Sequence, residues 1–173
     1  MEALKRLKVT PKILTGDQAD VAVSVCRRVG IPSETVLTGA QMDEMTDAVL
    51  GAAVEKIHVF AELIPGQKVR LVSALSQNGH TVGFLGDGIN DIPALCEANV
   101  GISVDTAVDA AKDAADVVLL QKDLGVLEQG ILEGRKTFTN MLKYIKITAS
   151  SNFGNIFSIV CASAFLPFLP MTS

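Results

Sequence analysis

Short apolar runs alternate with helical stretches from about residue 12 to residue 120, and this alternation limits the possible fold more than any other feature. The run that begins at Ile57 and the stretch Thr81–Leu85 have the length of buried strands, and stretches of helical spacing separate such runs. This order is typical of a parallel sheet with helices on both faces. Residues 1–122 are therefore predicted to form an α/β domain.

Local signals predict where the helices begin and end. Asp17 is placed to cap a helix that Gly30 stops, and Pro65 is placed to open a helix that ends near residue 78. Another helix is predicted over Asp43–Val54. After the strand at residues 81–85, a glycine-rich turn leads into a helix near residues 90–98.

The C-terminal part has a different charge pattern. Residues 123–146 have continuous helical spacing and are predicted to form a cytoplasmic stalk helix. Residues 147–173 carry no charged side chain, and a mostly apolar stretch of about 20 residues can cross a bilayer. A transmembrane helix is predicted over 147–169, with an apolar core helix as the alternative. Its N-terminal end is expected in the cytoplasm because basic residues precede it: Arg135, Lys136, Lys143 and Lys146.

Polar side chains interrupt this uncharged stretch at helical spacing. They fall within one stripe roughly 120° wide and are Thr148, Ser151, Asn152, Asn155 and Ser158. At membrane depth, polar side chains face other helices or a water-filled path. The stripe therefore predicts partner helices outside this chain, and helix packing without a ligand role is the alternative.

Net charge and cysteine spacing exclude several classes of protein. The formal net charge of −4 provides no field that attracts nucleic acid, so no nucleic-acid partner is expected. The cysteines at positions 26, 96 and 161 form no CxxC pair, which argues against a zinc site and a disulfide framework. The first ten residues lack the apolar core of a secretory signal. Residues 1–146 are therefore predicted to be cytoplasmic.

Three short motifs have the residues that phosphate and metal chemistry needs. Asp87 and Asp91, four residues apart in GDGIND, can direct two carboxylates towards one Mg²⁺. Thr15 and Gly16 offer a hydroxyl and a backbone N–H to phosphate oxygens where a strand turns into a helix. Lys68 adds a positive charge for a transferred group. Each motif alone is also an ordinary turn, cap or solvated lysine, whereas their order and placement together are specific.

These motifs resemble a known family over nearly the whole chain. The chain is similar to the C-terminal half of the phosphorylation domain of P-type ATPases, a haloacid-dehalogenase-like fold, in TGD, FAELIPGQK, GDGIND followed by PAL, VGISV and AADVVLL. Its tail, from EGRKTF to LPFLPM, resembles the stalk and fifth transmembrane helix of the bacterial magnesium-importing P-type ATPases.

Position by position, the resemblance implies roles for individual residues. It implies a catalytic set that contacts the transferred phosphoryl group or stabilises its charge: Thr15, Gly16, Asp17 and Lys68. It implies a metal set that holds Mg²⁺ at the phosphorylation site: Asp87 and, more indirectly, Asn90 and Asp91. It also places two residues where relatives have transported-ion ligands or their neighbours: Asn152 and Asn155.

The resemblance further implies a function for the longer protein. That protein is expected to couple ATP hydrolysis, through an aspartyl-phosphate, to cation transport in the bacterial inner membrane, with Mg²⁺ as the imported ion. Mg²⁺ is the expected cofactor and ATP the expected substrate. The expected partners are the remaining domains and transmembrane helices of the same pump, membrane lipid and the transported cation.

Two departures from the family pattern matter. The DKTGT segment, which supplies the nucleophilic aspartate in the family, does not occur in these 173 residues, so the chain by itself is predicted to be inactive. Glu62 stands where many relatives have arginine. Two alternatives stay open: a free-standing phosphatase of the haloacid-dehalogenase type, and a non-enzymatic Mg²⁺-binding membrane protein. The phosphatase would need a nucleophilic aspartate before TGD, where Glu2 is the one carboxylate ahead of Lys12.

Overall fold

A computed structural model describes residue 4, residues 6–121 and residues 123–165. The chain divides into two compact units, Met1–Val126 and Leu127–Ser173. The predicted division into residues 1–122, 123–146 and 147–169 stays a prediction.

The first unit contains alternating strands and helices, as the sequence predicts. Its strands are β1 (Ile13–Leu14), β2 (Val36–Thr38), β3 (Val59–Ala61), β4 (Gly83–Leu85), β5 (Val100–Val104) and β6 (Val117–Leu119). Its helices are α1 (Ala19–Val29), α2 (Gly39–Asp43), α3 (Asp47–Lys56), α4 (Pro65–Gln77), α5 (Ile92–Glu97) and α6 (Asp109–Ala114). A 3₁₀ turn, Ile89–Asp91, precedes α5, and α7 (Leu124–Phe165) begins in this unit.

The strands form two parallel sheets, whereas the sequence analysis predicts one. The first sheet has the order β1–β3–β2, and Phe60 lies opposite both Leu14 and Leu37. The second sheet has the order β4–β5–β6, in which Phe84 lies opposite Gly101. Among the described strands, β1 and β4 each pair on one side only. Strand pairing depends on contacts far apart in the chain, so alternation along the sequence does not decide it.

The core of the first sheet covers both faces of its central strand. Phe60 packs into a cluster on one face with buried side chains from neighbouring elements: Leu37, Met42, Leu50, Val54, Leu63 and Leu71. Val59 and Ala61 pack into a second cluster with Ala22, Cys26 and Ile31 of α1 and its C-terminal end. Because successive side chains of a strand point to opposite faces, the two clusters confirm helices on both faces of this sheet.

The ends of α1 and α4 agree with the local signals except at one residue. Gly30 ends α1 in the left-handed conformation, with φ 74°, and Pro65 begins α4. The prediction that Asp17 caps α1 is wrong, because the N-cap residue is Gln18 and its side chain makes no capping bond. Instead, the Glu62 carboxylate accepts a hydrogen bond from the Ala19 N–H at 3.4 Å.

The helix predicted over Asp43–Val54 is present as α3, but its predicted start is too early, because α3 begins at Asp47. A separate short helix, α2, ends at Asp43, and a break separates the two helices. The Arg70 guanidinium of α4 donates to the carbonyl oxygens of Met42, at 3.0 Å, and Met45, at 2.6 Å. The Met42 carbonyl oxygen also accepts from the Met45 N–H at 3.1 Å, so Arg70 adds a contact that joins α4 to the segment between α2 and α3.

Helix α7 runs without a break through Phe165, which confirms the predicted continuity of the stalk helix and the apolar tail. In the described part of the chain, no helix is both long and apolar enough to cross a membrane. The transmembrane helix predicted over 147–169 is therefore not supported, and residues 166–169 lie outside the described residues. Asparagine and serine side chains, including Asn152 and Asn155, interrupt the apolar run within α7.

Candidate functional site

Lys68 and Asp91 form an ion pair between α4 and the 3₁₀ turn that follows β4. The Lys68 Nζ atom lies 2.7 Å from Asp91 Oδ1, and the two side chains are only 12% and 16% exposed. Partial burial removes much of the solvent that weakens surface ion pairs. The structure therefore brings together two residues that the sequence analysis assigns to different motifs.

The GDGIND turn has a compact shape that depends on its first glycine. Gly86 is buried, and a Cβ atom at this position would lie only 2.6 Å from Asp91 Cβ. The Asp91 N–H donates to the Gly88 carbonyl oxygen at 3.0 Å and closes the turn. The turn folds back so that Asp91 lies against Gly86, while Asp87 is exposed at its tip.

The TGD motif forms a small hydrogen-bonded loop at the carboxyl end of β1. The Thr15 hydroxyl donates to Asp17 Oδ2 at 3.0 Å and accepts from the Asp17 N–H at 3.1 Å. The neighbouring segment holds this loop through its backbone, since Glu62 N–H donates to the Asp17 carbonyl oxygen and Leu63 N–H to that of Thr15. Gly16 and Asp17 are exposed, so their polar groups are accessible to a ligand.

Glu62 joins the TGD loop to β3 in a strained conformation. Its φ of 56° lies in the left-handed region, which is uncommon for a residue other than glycine. The Glu62 N–H bond to Asp17 and the carboxylate bond to the Ala19 N–H hold it there. Glu62 therefore bonds both the TGD loop and the first turn of α1.

Gln67, beside Lys68 in sequence, is a buried polar residue that fixes the start of α4. Its amide nitrogen donates to the Gly39 carbonyl oxygen at 3.1 Å and to Asp43 Oδ2 at 2.8 Å. Its amide oxygen accepts from the Ile64 N–H at 3.0 Å. These bonds join α4 to α2. They therefore fix the part of α4 from which the Lys68 side chain, one residue later, extends.

The metal set contains oxygen ligands but not a complete cluster. Asp87 and Asn90 are exposed, and Asp91 is already bound to Lys68. Within the described residues, no group of three or more histidine, cysteine or acidic side chains could hold a metal ion. Mg²⁺ commonly uses one or two carboxylates together with water and substrate phosphates. The donor set therefore fits a Mg²⁺ ion that binds together with a phosphate group.

The two transport-path candidates lie in the second unit. Asn152 and Asn155 are both exposed on α7, three residues apart, and therefore lie on one side of the helix. Nothing in the structure tests their predicted role.

Sequence reasoning missed two residues that position the site. Gln67 occupies a position in PGQK that reads as an ordinary helix N-terminus, and Ser103 is a single hydroxyl in the apolar run VGISV. For Ser103 the signal is a polar residue within an apolar run, whereas the sequence gives no such signal for Gln67. Ser103 is fully buried, with an exposure of 0%, and donates to the carbonyl oxygen of Gly86.

Comparison with protein families gives a match over more than half of the chain. The model of the haloacid dehalogenase-like hydrolases matches residues 1–99. The matched part includes the TGD loop, Lys68 and the GDGIND turn.

Curated relatives are similar over almost the entire chain. A "Magnesium-transporting ATPase, P-type 1" of Salmonella typhimurium is 58% identical over 169 residues, which cover 98% of this chain and 19% of that protein. The protein of the same name from Escherichia coli is 56% identical over 171 residues, which cover 99% of this chain and 19% of its own length. The chain spans about a fifth of the length of these relatives.

A solved structure has a similar backbone. The crystal structure of a zinc-transporting PIB-type ATPase in its E2.Pi state has a TM-score of 0.69 and 28% sequence identity to this chain. The match covers 95% of this chain and 23% of that one.

Proposed function

Because the chain belongs to the haloacid dehalogenase-like hydrolase family, we propose that it forms the phosphate- and Mg²⁺-binding part of a longer P-type ATPase. The observation that carries this proposal is the Lys68–Asp91 ion pair of 2.7 Å, which joins the PGQK helix to the GDGIND turn. Identities of 56–58% to magnesium-transporting ATPases support the choice of pump.

Lys68 supplies the positive charge at the proposed site. A transferred phosphoryl group carries negative charge on its oxygens, and a partly buried ammonium stabilises that charge more than a solvated one does. Asp91 holds the Lys68 Nζ atom in place, and Gln67 fixes the start of the same helix. The lysine is therefore oriented before a phosphate arrives, which lowers the cost of ordering it.

Asp87 is proposed as the principal Mg²⁺ ligand, with Asn90 and Asp91 close by. When bound, Mg²⁺ would neutralise phosphate oxygens and polarise the phosphorus centre. Asp87 is exposed in the turn, and Asp91 binds Lys68. The exposure of Asp87 to an incoming ion supports it as the residue whose loss abolishes metal binding.

Thr15, Gly16 and Asp17 are proposed to hold the phosphoryl oxygens. The Thr15 hydroxyl and the exposed Gly16 backbone lie at the carboxyl end of β1, where ligands collect in parallel sheets. The nucleophilic aspartate is proposed to come from another segment of the longer protein. The β4 strand pairs on one side among the described strands, and its Leu85 is 46% exposed, so a further strand can pair there.

The longer protein is proposed to import Mg²⁺ across the bacterial inner membrane, with residues 1–146 on the cytoplasmic side. Asn152 and Asn155 are proposed to lie on or near the path of the ion. The partners of this chain would then be the remaining domains and transmembrane helices of the pump, with lipid around them.

Complementation in trans tests this function. The chain is mixed with the remaining part of the longer protein, and phosphorylation is measured with ATP labelled on its γ-phosphate. We expect acid-stable, hydroxylamine-sensitive labelling that requires Mg²⁺ and is lost on chelation. Asp87→Ala and Lys68→Ala should each abolish it. Asp113→Ala and Lys56→Ala, which remove exposed charges outside the site, should leave it unchanged.

Three results would contradict the proposal. Labelling that survives Asp87→Ala would show that the metal assignment is wrong. Hydrolysis of a generic phosphate ester by the isolated chain would favour the free-standing phosphatase. Saturable Mg²⁺ binding with no phosphorylation after complementation would favour a non-enzymatic Mg²⁺-binding protein.

A further inference from the structure

One buried hydroxyl of the second sheet contacts the backbone of the GDGIND turn from behind. Ser103 in β5 has an exposure of 0%, and its hydroxyl donates to the Gly86 carbonyl oxygen at 2.9 Å. A hydroxyl buried in apolar surroundings costs free energy unless it is hydrogen-bonded. The serine is stable inside this strand because Gly86 accepts its hydrogen bond.

Three hydrogen bonds hold the backbone of Gly86 and Asp87. The Gly86 N–H donates to the Ile102 carbonyl oxygen at 3.0 Å, and the Gly86 carbonyl oxygen accepts from Ser103. The Asp87 carbonyl oxygen accepts from the Val108 N–H at 3.2 Å. Strand β5 and the start of α6 thus fix both peptide planes that flank Asp87.

Gly86 also determines the position of Asp91. Because a Cβ atom on Gly86 would lie 2.6 Å from Asp91 Cβ, the glycine backbone and this side chain are in direct contact. Asp91 in turn holds the Lys68 ammonium at 2.7 Å. A rotation of the Gly86–Asp87 peptide would therefore move Asp87 directly and disturb Asp91 and Lys68 through contact.

We propose that Ser103 is a positioning residue that fixes the direction in which Asp87 and Asp91 present their carboxylates. Its hydroxyl holds the Gly86 carbonyl, which lies in the peptide plane leading to Asp87. The consequence for Mg²⁺ rests on the function proposed above, whereas the effect on the turn does not. Ser103 itself touches no ligand at this site, because it lies fully buried behind the turn.

Amide hydrogen exchange without metal tests the positioning role. In the full chain, Ser103→Ala leaves the Gly86 carbonyl without its buried donor, and we expect exchange of the Gly86, Asp91 and Val108 amides to rise about tenfold. The amides of β3 should keep their rates. NMR detection of individual amides gives this readout independently of any activity.

Titration with MgCl₂, with and without inorganic phosphate, measures the consequence for the metal. We expect the chemical shifts of the Asp87 and Asp91 amides to saturate in the wild-type chain, and Ser103→Ala to weaken the apparent affinity about tenfold. If Ser103→Ala does not fold, Ser103→Cys gives both readouts, since a thiol is only a weak donor.

Two control variants separate positioning from general loss of stability. Val104→Ala removes an apolar side chain of the same strand, 3% exposed, without touching the bond to Gly86. Ser76→Ala removes a buried hydroxyl that has no hydrogen-bond partner among the described residues. Neither should change exchange at the turn selectively.

The outcomes separate this inference from the proposed function. Exchange at Gly86, Asp91 and Val108 that rises equally in Val104→Ala and Ser103→Ala overturns the positioning role. A selective rise in Ser103→Ala supports it. If that rise occurs but the wild-type chain shows no response to Mg²⁺, the positioning role stands and the proposed function fails.

Discussion

The two sheets of the first unit differ in how their strands are stabilised. In the first sheet, the central strand β3 is completely buried, and apolar clusters cover both of its faces. In the second sheet, apolar side chains on each strand remain partly exposed: Leu85 at 46%, Val100 at 36% and Val117 at 45%. The two sheets have the same number of strands and the same parallel pairing, so the difference lies in their packing.

Directional hydrogen bonds hold the second sheet where apolar packing is thin. Asp116 accepts from the Gly101 N–H at 2.8 Å, Asn99 accepts from the Val82 N–H at 2.8 Å, and Ser103 donates to Gly86. Hydrogen bonds fix orientation, whereas apolar burial is non-directional. We therefore expect the first sheet to contribute more to stability through apolar burial, and the second sheet to fix the orientation of the GDGIND turn.

Replacing one apolar side chain in each sheet should give the largest difference in the free energy of unfolding. Phe60 is only 1% exposed and lies at the centre of the first sheet. Phe60→Ala removes its contacts with the surrounding apolar cluster, and we expect the free energy of unfolding to fall by about 3–5 kcal/mol. Leu85→Ala in the second sheet should cost less than about 1 kcal/mol. Urea unfolding of both variants measures the difference, and equal losses would contradict the comparison.

A methyl group added at the GDGIND turn should have an intermediate effect on the free energy of unfolding. In Gly86→Ala the new Cβ would meet Asp91 Cβ at 2.6 Å and Phe84 Cε1 at 3.1 Å. We expect a loss of about 1–3 kcal/mol, because the turn must open to relieve the overlap. Urea unfolding measures the loss, and the NMR signal of the Lys68 ammonium reports separation from Asp91.

Gly66→Ala is the matched control for this turn variant. A Cβ at Gly66, in the first turn of α4, would have nothing within 4 Å, and alanine is the better helix former. The control should therefore be neutral or slightly stabilising. A loss as large as that of Gly86→Ala would show that any added methyl group destabilises the chain, not only one at the turn.

Removing an exposed polar contact beside the first sheet should have the smallest effect on stability, and this effect should depend on pH. Hydrogen bonds from Asn78 and then from His80 hold the pKa of the Glu55 carboxyl below its usual value of 4.5. A carboxyl with a lowered folded-state pKa stabilises the fold above its unfolded pKa, and this contribution is lost as pH falls through the folded value.

Glu55→Gln should therefore lower the urea midpoint slightly at pH 7, and the difference from wild type should shrink below pH 4.5. Urea unfolding at a series of pH values between 3 and 7, roughly the range over which carboxyl groups titrate, measures this difference. Because Glu55 is exposed, a large loss at neutral pH would indicate that the first sheet also depends on polar contacts, contrary to the comparison.

Local signals predicted most elements because their physical causes are local. A proline favours the first turn of a helix and a glycine allows the left-handed conformation at its end, so Pro65 and Gly30 mark the ends of α4 and α1 correctly. The sequence analysis did not predict the break between α2 and α3. Arg70, which is distant in sequence, donates to the carbonyl oxygens of Met42 and Met45 at this break, and no local signal indicates that contact.

The candidate site shows the same division. Its motifs, TGD, the PGQK lysine and GDGIND, are readable because each combines a loop with the side chains that phosphate or Mg²⁺ needs. The residues that hold these motifs in place could not be predicted from the sequence. Glu62 caps α1, a role predicted for Asp17, and Gln67 joins α4 to α2. Both roles arise from contacts between segments that lie at least 24 residues apart.

By itself, the sequence determined the alternation of strands and helices, the continuous helix from Leu124, and the motifs proposed to bind phosphate and Mg²⁺, because helix caps, hydrophobic spacing and side-chain chemistry act over short stretches of chain. Only the tertiary structure decided that the strands form two sheets, that Lys68 meets Asp91, and that Ser103 holds the turn. Those outcomes depend on which distant groups share the interior, where each buried polar group must find a partner.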